Sequence, residues 1–243
     1  MNISDGAFQL ETRIALPQDE VHLWRIDLAS VASTEQRWEQ ILAADERSRA
    51  ARFHFSRDRQ YFTATRAWLR MILGSYLGAS PSELAFRYSE KEKPSLLGSS
   101  ADKPVEFNVS HSGSLALLAF SRGRALGVDV EQVRDNFDHQ AIARRFFSKE
   151  EQRQLAALSP SERHLGFYRC WTRKEAYIKA QGTGLSLPLH QFDVSLRLGE
   201  LNALLATRPN PSAAAEWSLR EIPVGDGYAA ALCVRGHGWN LKS

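Results

Sequence analysis

Two acidic side chains stand two residues apart in the segment Gly127–Glu131, which reads Gly-Val-Asp-Val-Glu. Alternate side chains of a β-strand point to the same face, so Asp129 and Glu131 would share one face of this segment. Two like charges at that separation repel by roughly 2–3 kcal/mol at an effective dielectric of about 20, before solvent screening. A divalent cation such as Mg²⁺ would offset this repulsion. The alternative is a strand end that leaves both acids solvated, and the segment taken alone favours it.

A second set of polar side chains recurs at helical spacing. Thr172, Glu175 and Lys179 are three and four residues apart, which places them on one face of a helix. The neighbouring stripe is apolar and would face the core: Phe167, Cys170, Trp171 and Ile178. Glu175 and Lys179 could form a surface ion pair worth about 0.3–0.5 kcal/mol. Alternatively, Glu175 is a third metal ligand and Lys179 a cation for a phosphate.

A turn rich in hydroxyl groups follows a predicted strand at Asn108–Gly113, which reads Asn-Val-Ser-His-Ser-Gly. Hydroxyls, an imidazole and backbone N–H groups at such a turn can hold phosphate oxygens. Lys91 and Lys93 precede the rigid residue Pro94, and further basic residues precede the first long helix: Arg47, Arg49 and Arg52. Each basic residue taken singly is more typical of a solvated face.

These groups need elements to position them, and the hydrophobic pattern indicates mixed α and β structure. The predicted helices are Ser56–Leu77 with Ser56 as cap, Ile142–Phe147, one opening at Ser148, and Glu162–Ala180. Gly78 and Gly182 end the two long helices, and Ser148 with Glu151 forms a capping-box pattern. The predicted strands are Glu83–Tyr88, Val105–Ser110, Leu115–Ser121, Ala125–Glu131, Gln191–Arg197, Glu216–Ile222 and Tyr228–Val234.

Four short segments of the first half of the chain recur in the same order in the second half. The pairs are Phe55–Asp58 with Phe147–Glu150, Arg66–Arg70 with Arg169–Arg173, Phe107–Ser110 with Phe192–Ser195, and Leu118–Gly123 with Ala231–Gly236. Helix starts and strand ends resemble one another in many proteins, which is the alternative explanation. We expect an α+β fold of two similar α/β halves, residues 1–123 and 124–243, related by pseudo-twofold symmetry. Each half would pack a small antiparallel sheet against a long helix.

Composition excludes several classes of protein. The chain has 243 residues, a formal charge of +3, 43% apolar and 24% charged residues, as in ordinary globular proteins. No apolar run approaches the ~20 residues that a membrane-spanning helix needs, and the N-terminus lacks the order of a signal peptide. Cys170 and Cys233 are too few for a disulfide framework. A cytoplasmic protein is expected, and the weak charge gives no indication of nucleic acid.

Taken together and in this order, the segments resemble the 4′-phosphopantetheinyl transferase family, specifically its larger, surfactin-synthetase-activating type. The resemblance depends on Gly127–Glu131 followed by Trp171–Lys179, which fills the family pattern Trp-x-x-Lys-Glu-x-x-x-Lys. Asp129 and Trp171 are 42 residues apart, within the family's spacing. The resemblance covers residues 49–188. The family has a glycine where this chain has Glu92, before Lys-Pro.

The resemblance implies transfer of the 4′-phosphopantetheine arm of coenzyme A to a serine of an acyl or peptidyl carrier protein, with release of 3′,5′-ADP. It implies that Mg²⁺, or Mn²⁺, is held by Asp129, Glu131 and Glu175. It also implies a monomer with no nucleic-acid or membrane partner. Two alternatives are a metal-dependent phosphodiesterase or nuclease that uses the same acids, and a coenzyme A-binding module without activity.

The resemblance also assigns contacts with coenzyme A. The implied binding residues are Arg49, Lys93, Pro94, Asn108, Val109, Ser110, His111 and Lys179. His111 and Lys179 would act in catalysis, and Glu151 matches a glutamate proposed as general base. Because Glu151 is also the capping-box acid of Ser148, its catalytic and structural roles both stay open at this point.

Overall fold

The computed structural model describes residues 1–3, 13–31, 38–89, 93–97, 103–134, 138–182, 187–200, 202–208 and 210–243. Lys91 and Glu92, which precede Lys93 in the sequence, lie outside these residues. Among the described residues, no helix is both long and apolar enough to cross a lipid bilayer.

The described residues form a mixture of β-strands and α-helices along the chain. The strands are β1 (Asn2–Ile3), β2 (Glu20–Asp27), β3 (Phe86–Tyr88), β4 (Pro94–Leu96), β5 (Val105–Ser112), β6 (Leu115–Arg122), β7 (Leu126–Gln132), β8 (Phe192–Val194), β9 (Leu204–Thr207), β10 (Trp217–Glu221), β11 (Tyr228–Arg235) and β12 (Asn240–Lys242). The α-helices are α1 (Leu28–Val31), α2 (Ala44–Ala50), α3 (Ser56–Leu77), α4 (His139–Phe146), α5 (Lys149–Ala157) and α6 (Pro160–Gln181). Short 3₁₀ turns occur at Pro81–Glu83, Leu189–Gln191 and Pro211–Glu216.

Two sheets carry the fold. The first has the order β1-β2-β6-β5, with β12 also paired to β2, and the second has the order β10-β11-β7. The second sheet is antiparallel, as expected. The first is not wholly so, because β1 and β12 pair with β2 in parallel. Tight hairpins impose antiparallel pairing, and neither β1 nor β12 is joined to β2 by one.

Alternation along the strands places the two sheets face to face with a long helix outside each. Leu118 and Phe120 of β6 pack in one apolar cluster with Trp68 of α3. Leu117 and Ala119, on the opposite face of β6, pack against the second sheet. The other side of the second sheet packs against α6, in a cluster that includes Phe167, Ile178, Leu219 and Cys233. Each sheet thus has its own helix, as the sequence predicts.

The internal echo is visible in the two long helices. Both α3 and α6 have 22 residues and end at a glycine, Gly78 and Gly182. In each helix two arginines converge on one glutamate: Arg66 and Arg70 on Glu46, and Arg169 and Arg173 on Glu221. The pair Phe107–Ser110 and Phe192–Ser195 is not placed equivalently, because the first lies in β5 and the second begins in the separate β8–β9 ribbon. Pseudo-twofold symmetry and a boundary at 123/124 stay predictions.

Gly127 allows β7 to lie directly against α6. A Cβ atom at this position would lie 2.3 Å from both the Ala176 carbonyl oxygen and the Ala180 nitrogen. Both are backbone atoms, so the strand or the helix must shift to admit a methyl group. Gly127→Ala is therefore expected to lower the free energy of unfolding by about 1–3 kcal/mol. Urea denaturation would measure the loss, and an unchanged midpoint would contradict this contact between β7 and α6.

Candidate active site

The Asp129 carboxylate lies at the contact between β7 and α6, and it is only 3% exposed. Lys179 Nζ donates to Asp129 Oδ1 at 2.6 Å, and Ser110 Oγ donates to the same oxygen at 3.0 Å. Oδ2 is also buried and has no hydrogen-bond partner among the described residues. Burial raises the pKa of Asp129, whereas the Lys179 ammonium acts in the opposite direction. One oxygen of this acid is thus fixed and the other lacks the partner that a buried oxygen needs.

Glu131 and Glu175 form one electrostatic group with Asp129. Glu131 accepts a hydrogen bond from Ser112 Oγ at 2.9 Å. Burial, and next the charge of Asp129, raise the pKa of Glu131. Burial, then repulsion by Asp129, raise the pKa of Glu175 to about 7, although Lys179 opposes the shift. The three predicted metal ligands are therefore close enough for their charges to interact, while Glu131 and Glu175 are partly exposed to solvent.

The Lys179 side chain takes part in an ion pair with Asp129. It also donates to Ser110 Oγ at 3.1 Å. The surface pair between Glu175 and Lys179, one of the alternatives from sequence, is therefore not the main interaction of this lysine. The Lys179 ammonium thus places a positive charge beside the acidic group.

Polar side chains of β5 join the two sheets at their adjacent edges. Three backbone N–H groups of β7 donate to them: Val128 N to Asn108 Oδ1 at 2.9 Å, Val130 N to Ser110 Oγ at 3.3 Å, and Gln132 N to Ser112 Oγ at 3.0 Å. These side-chain oxygens take the place of the carbonyl oxygens of a regular ladder. Asn108 and Ser110 thus hold β7, the strand that carries Asp129 and Glu131. Ser112, which the sequence analysis assigned only to a turn that can hold phosphate, also donates to Glu131. The sequence signal for this role is the polar residue at every second position of β5: Asn108, Ser110 and Ser112.

Lys93 joins the β4 region to the end of α6. Its Nζ donates to the Lys179 carbonyl at 2.6 Å and lies 3.4 Å from the Leu126 carbonyl. Burial lowers the pKa of Lys93, whereas the charge of Glu106 acts in the opposite direction. Pro94 follows as the first residue of β4. Lys93 therefore positions the backbone that carries Lys179, which the sequence did not indicate.

A cleft of about 560 Å³ opens beside the acidic group, between the start of α3, the β5–β6 turn and the end of β7. Its lining includes Arg57, Tyr61, Phe62, His111, Gly113 and Arg134. Arg49 lies over the Phe62 ring, with 5.7 Å between the guanidinium carbon and the ring centroid. Val109 packs instead against the first apolar cluster. His111 and Arg49 thus lie at or beside one cleft, on the N-terminal side of the site.

The His111 ring is open to solvent at the end of β5. Partial enclosure by the surrounding protein, and next the Lys179 ammonium, lower its pKa. Its usual value is 6.5, so His111 is neutral at pH 7. A neutral imidazole has one donor and one acceptor nitrogen.

A second cavity of about 350 Å³ adjoins the cleft and shares Ser112, Gln132 and Arg134 with it. Glu131 lies at one side, and the other wall is mostly apolar: Ile142, Phe167, Tyr168 and Trp171. The two cavities form a continuous groove across the seam between the sheets. Glu131 of the acidic group, the basic residues Arg57 and Arg134, and a mostly aromatic wall therefore line these adjoining cavities.

Glu151 lies away from this groove, in the core beneath α5. It is fully buried, and it forms the predicted capping box with Ser148. Oε1 accepts from Lys174 Nζ at 2.7 Å and from Val194 N at 2.8 Å, and Oε2 accepts from Ser148 N at 2.8 Å. Both oxygens are thus occupied. Lys174, a fixed position of the Trp-x-x-Lys-Glu motif to which the sequence assigned no role, is the buried partner of this acid.

The acidic group fits a hard divalent cation by its chemistry. Carboxylate oxygens are the ligands that Mg²⁺ takes in proteins, and Asp129 Oδ2 is a buried acceptor without a partner. Within the described part of the chain, no group of three or more His, Cys, Asp or Glu side chains is placed to hold a metal ion. Lys179 already neutralises part of the charge at Asp129 Oδ1.

Glu175 is expected to make the metal-free protein less stable as the pH rises from 4.5, its usual pKa, to about 7. A carboxyl whose pKa is higher in the folded state binds more protons when folded, so the free energy of unfolding falls across that window. Glu175→Gln should therefore gain stability relative to the native protein at pH 8 but not at pH 4.5. Urea denaturation with a chelator at both pH values would test this. If the two proteins differed in free energy of unfolding by the same amount at pH 4.5 and pH 8, the raised pKa of Glu175 would be contradicted.

The two halves of the chain each match a family model. Residues 125–233 match the 4′-phosphopantetheinyl transferase superfamily, and residues 31–122 match the N-terminal region of 4′-phosphopantetheinyl transferases. The chain is 41% identical over 229 residues to the 4′-phosphopantetheinyl transferase HetI of Nostoc sp., with 94% of this chain and 93% of HetI covered.

More distant relatives carry the same activity in their names. The chain is 30% identical over 201 residues to the 4′-phosphopantetheinyl transferase Sfp of Bacillus subtilis, with 82% of this chain and 84% of Sfp covered. It is 27% identical over 206 residues to the mouse L-aminoadipate-semialdehyde dehydrogenase-phosphopantetheinyl transferase, with 79% of this chain and 66% of that protein covered. The chain belongs to the 4′-phosphopantetheinyl transferase superfamily and is an enzyme of that family.

Proposed function

We propose that this protein transfers the 4′-phosphopantetheine arm of coenzyme A to a serine of an acyl or peptidyl carrier protein, releases 3′,5′-ADP and requires Mg²⁺. The observation that carries the proposal is the acidic group of Asp129, Glu131 and Glu175, which faces Lys179 at the edge of a groove. Carboxylates for a cation beside basic groups for phosphates are what a diphosphate substrate requires.

In the proposed reaction, the serine oxygen attacks the diphosphate phosphorus that carries the pantetheine. A new P–O bond forms, the serine proton is released to solvent, and the bond to the bridging oxygen breaks, so that 3′,5′-ADP leaves with that oxygen. Bound Mg²⁺, held by the three acids, would supply positive charge to the diphosphate oxygens. Mn²⁺ has the same preference for carboxylate oxygens.

Lys179 and His111 would act on the diphosphate as positive or hydrogen-bonding groups. Lys179 is within reach of the acids, and 28% of its side chain is exposed, so its ammonium is accessible to a ligand. His111 at the cleft can donate one ring N–H. Lys93 would act as a positioning residue, because it binds the Lys179 carbonyl.

The remaining basic positions would surround the nucleotide. Arg49 lies beside the cleft and would meet the 3′-phosphate, while Pro94 and Val109 shape the neighbouring backbone. Asn108 and Ser110 would act mainly by holding β7. We assign no proton transfer to Glu151, because both of its oxygens are engaged in the core. We further propose a cytoplasmic monomer with no nucleic-acid or membrane partner.

The decisive experiment incubates the protein with coenzyme A, Mg²⁺ and an apo carrier protein, and measures the intact mass of the carrier. A gain of one phosphopantetheine group, with equimolar 3′,5′-ADP, is expected. Hydrolysis of coenzyme A without a carrier would favour the phosphodiesterase alternative. Binding of coenzyme A without either product would favour the binding module.

A further inference from the structure

A separate basic cavity of about 480 Å³ lies at the far end of β7 from the acidic group. β7 begins at Leu126, next to this cavity, and reaches Glu131 five residues later. At about 3.3 Å per residue, the strand separates the two ends by roughly 17 Å. The cavity is therefore distinct from the groove proposed for catalysis.

Four basic side chains line this cavity, together with one acid: Lys103, Arg122, Arg124, Arg235 and Glu216. Glu216 accepts from Arg235 Nη2 at 2.9 Å, so this pair is balanced. Lys103 donates to the neutral side chain of Gln18 at 2.6 Å. Three of the four basic groups in the lining thus have no carboxylate in the lining to offset their charge.

The two central guanidinium groups are held in place by neutral acceptors. Arg122 Nε donates to the Leu16 carbonyl at 3.1 Å. Arg124 Nε donates to the Gln18 carbonyl at 3.1 Å, and its Nη1 lies 3.3 Å from the Arg235 carbonyl. A carbonyl oxygen orients a guanidinium group without cancelling its charge. The cavity therefore holds oriented positive charge that no carboxylate in its lining offsets, and such charge attracts anions even where water screens it.

Two turns with the same Arg-Gly sequence meet at this cavity. Arg122-Gly123 ends β6, Arg235-Gly236 ends β11, and all four residues belong to the lining. Gly236 has φ +84°, and a Cβ there would lie 2.6 Å from Arg124 Nη1. Glycine at this turn thus allows the Arg124 guanidinium to lie against the backbone. The arrangement is built from both halves of the chain and not from one flexible surface loop.

We propose that this cavity, which we call the basic seam pocket, binds a multivalent phosphate anion such as pyrophosphate or the phosphate groups of a nucleotide. Guanidinium groups match phosphate oxygens in charge and in the geometry of paired N–H donors. A cavity of this volume accommodates a small ligand. A concave site formed by five chain segments suits a compact anion better than an extended acidic peptide. The inference does not depend on the proposed function.

Isothermal titration calorimetry can test the basic seam pocket directly. Pyrophosphate and 3′,5′-ADP are titrated separately into the full chain without Mg²⁺, which distinguishes free phosphate from nucleotide as the source. The test variant is Arg122→Gln/Arg124→Gln. The control is Lys149→Gln/Arg153→Gln, which removes two charges from the exposed side of α5. Anions bound in the catalytic groove are retained by all three proteins.

The test variant should lose one phosphate site that the native and control proteins retain. If the variant still binds phosphate in the basic seam pocket, its affinity should be lower by about tenfold for each guanidinium removed. Added NaCl should weaken this site. Equal binding by all three proteins, or no phosphate binding by the native chain, would overturn the proposal. So would selective displacement of pyrophosphate by an acidic peptide in the native protein. If the double variant does not fold, Lys103→Gln, at an exposed residue whose charge no carboxylate in the lining offsets, applies the same criteria.

Discussion

Glu151→Gln is expected to lower the free energy of unfolding by about 3–5 kcal/mol, because it leaves a buried ammonium without its carboxylate. Glu151 and Lys174 are 2.7 Å apart, and both side chains are 0% exposed. Glutamine keeps the shape of the side chain and can still accept from Ser148 N. Lys174 would then retain only neutral partners: the carbonyls of Leu189 and Phe192, and the Phe192 ring.

The loss would come from the partner left behind and not from the strength of the pair. Burial raises the pKa of Glu151 while Lys174 opposes that shift, so desolvation of the pair is itself unfavourable. Replacing both residues, as in Glu151→Leu/Lys174→Met, should therefore recover most of the stability. Thermal unfolding should show a Tm lower by roughly 6–20 °C for Glu151→Gln. A Tm equal to that of the native protein would contradict the burial of this pair.

The same variant separates the two roles that the sequence left open for Glu151. If the residue is structural, turnover per folded molecule, measured well below the Tm, should stay within a few-fold of the native value. A general base contributes about 10²–10⁴-fold. A loss of that size in folded Glu151→Gln would establish a catalytic role and refute the structural one.

The sequence predicts well those features that depend on short-range geometry. The two-residue period of β7 places Asp129 and Glu131 on one face, and the helical spacing of α6 brings Glu175 near them. The capping box at Ser148 also forms as predicted. At α3, by contrast, the cap is Phe55 and Ser56 is already helical. A sequence pattern can thus mark a helix start within one or two residues without always identifying the cap.

Features that depend on distant partners could not be predicted. Strand β2 was missed, although it lies between β1 and β6 in the first sheet, because the consecutive apolar residues Leu23 and Trp24 interrupt its alternation. Lys174 is a charged residue that sequence patterns place on a surface, yet the fold buries it against Glu151. Lys93 meets the Lys179 carbonyl across 86 residues of chain. Such pairings are decided by how two halves assemble, which local patterns do not encode.

Asp129→Asn is expected to reduce phosphopantetheine transfer by about 10³-fold without destabilising the fold. A metal acting as a Lewis acid contributes several kcal/mol to the transition state, and each ~1.4 kcal/mol is tenfold in rate. Asparagine preserves the size of the side chain and its hydrogen bond from Ser110, but removes the charge that a cation needs. Mn²⁺ binding followed by electron paramagnetic resonance should weaken in parallel with activity.

Stability should respond to Asp129→Asn in the opposite sense to Glu151→Gln. Burial raises the pKa of Asp129 above its usual value, so at pH 7 the carboxylate favours the unfolded state and its removal relieves that cost. The Lys179 side chain is 28% exposed and can be hydrated when its partner is lost, unlike Lys174. The Tm of Asp129→Asn should therefore equal or exceed the native value. Asp226→Asn, at an exposed loop position, is the matched control and should alter neither quantity. Native-like transfer by folded Asp129→Asn would refute the role of this carboxylate, whereas lost transfer together with a lowered Tm would show that it holds the fold instead.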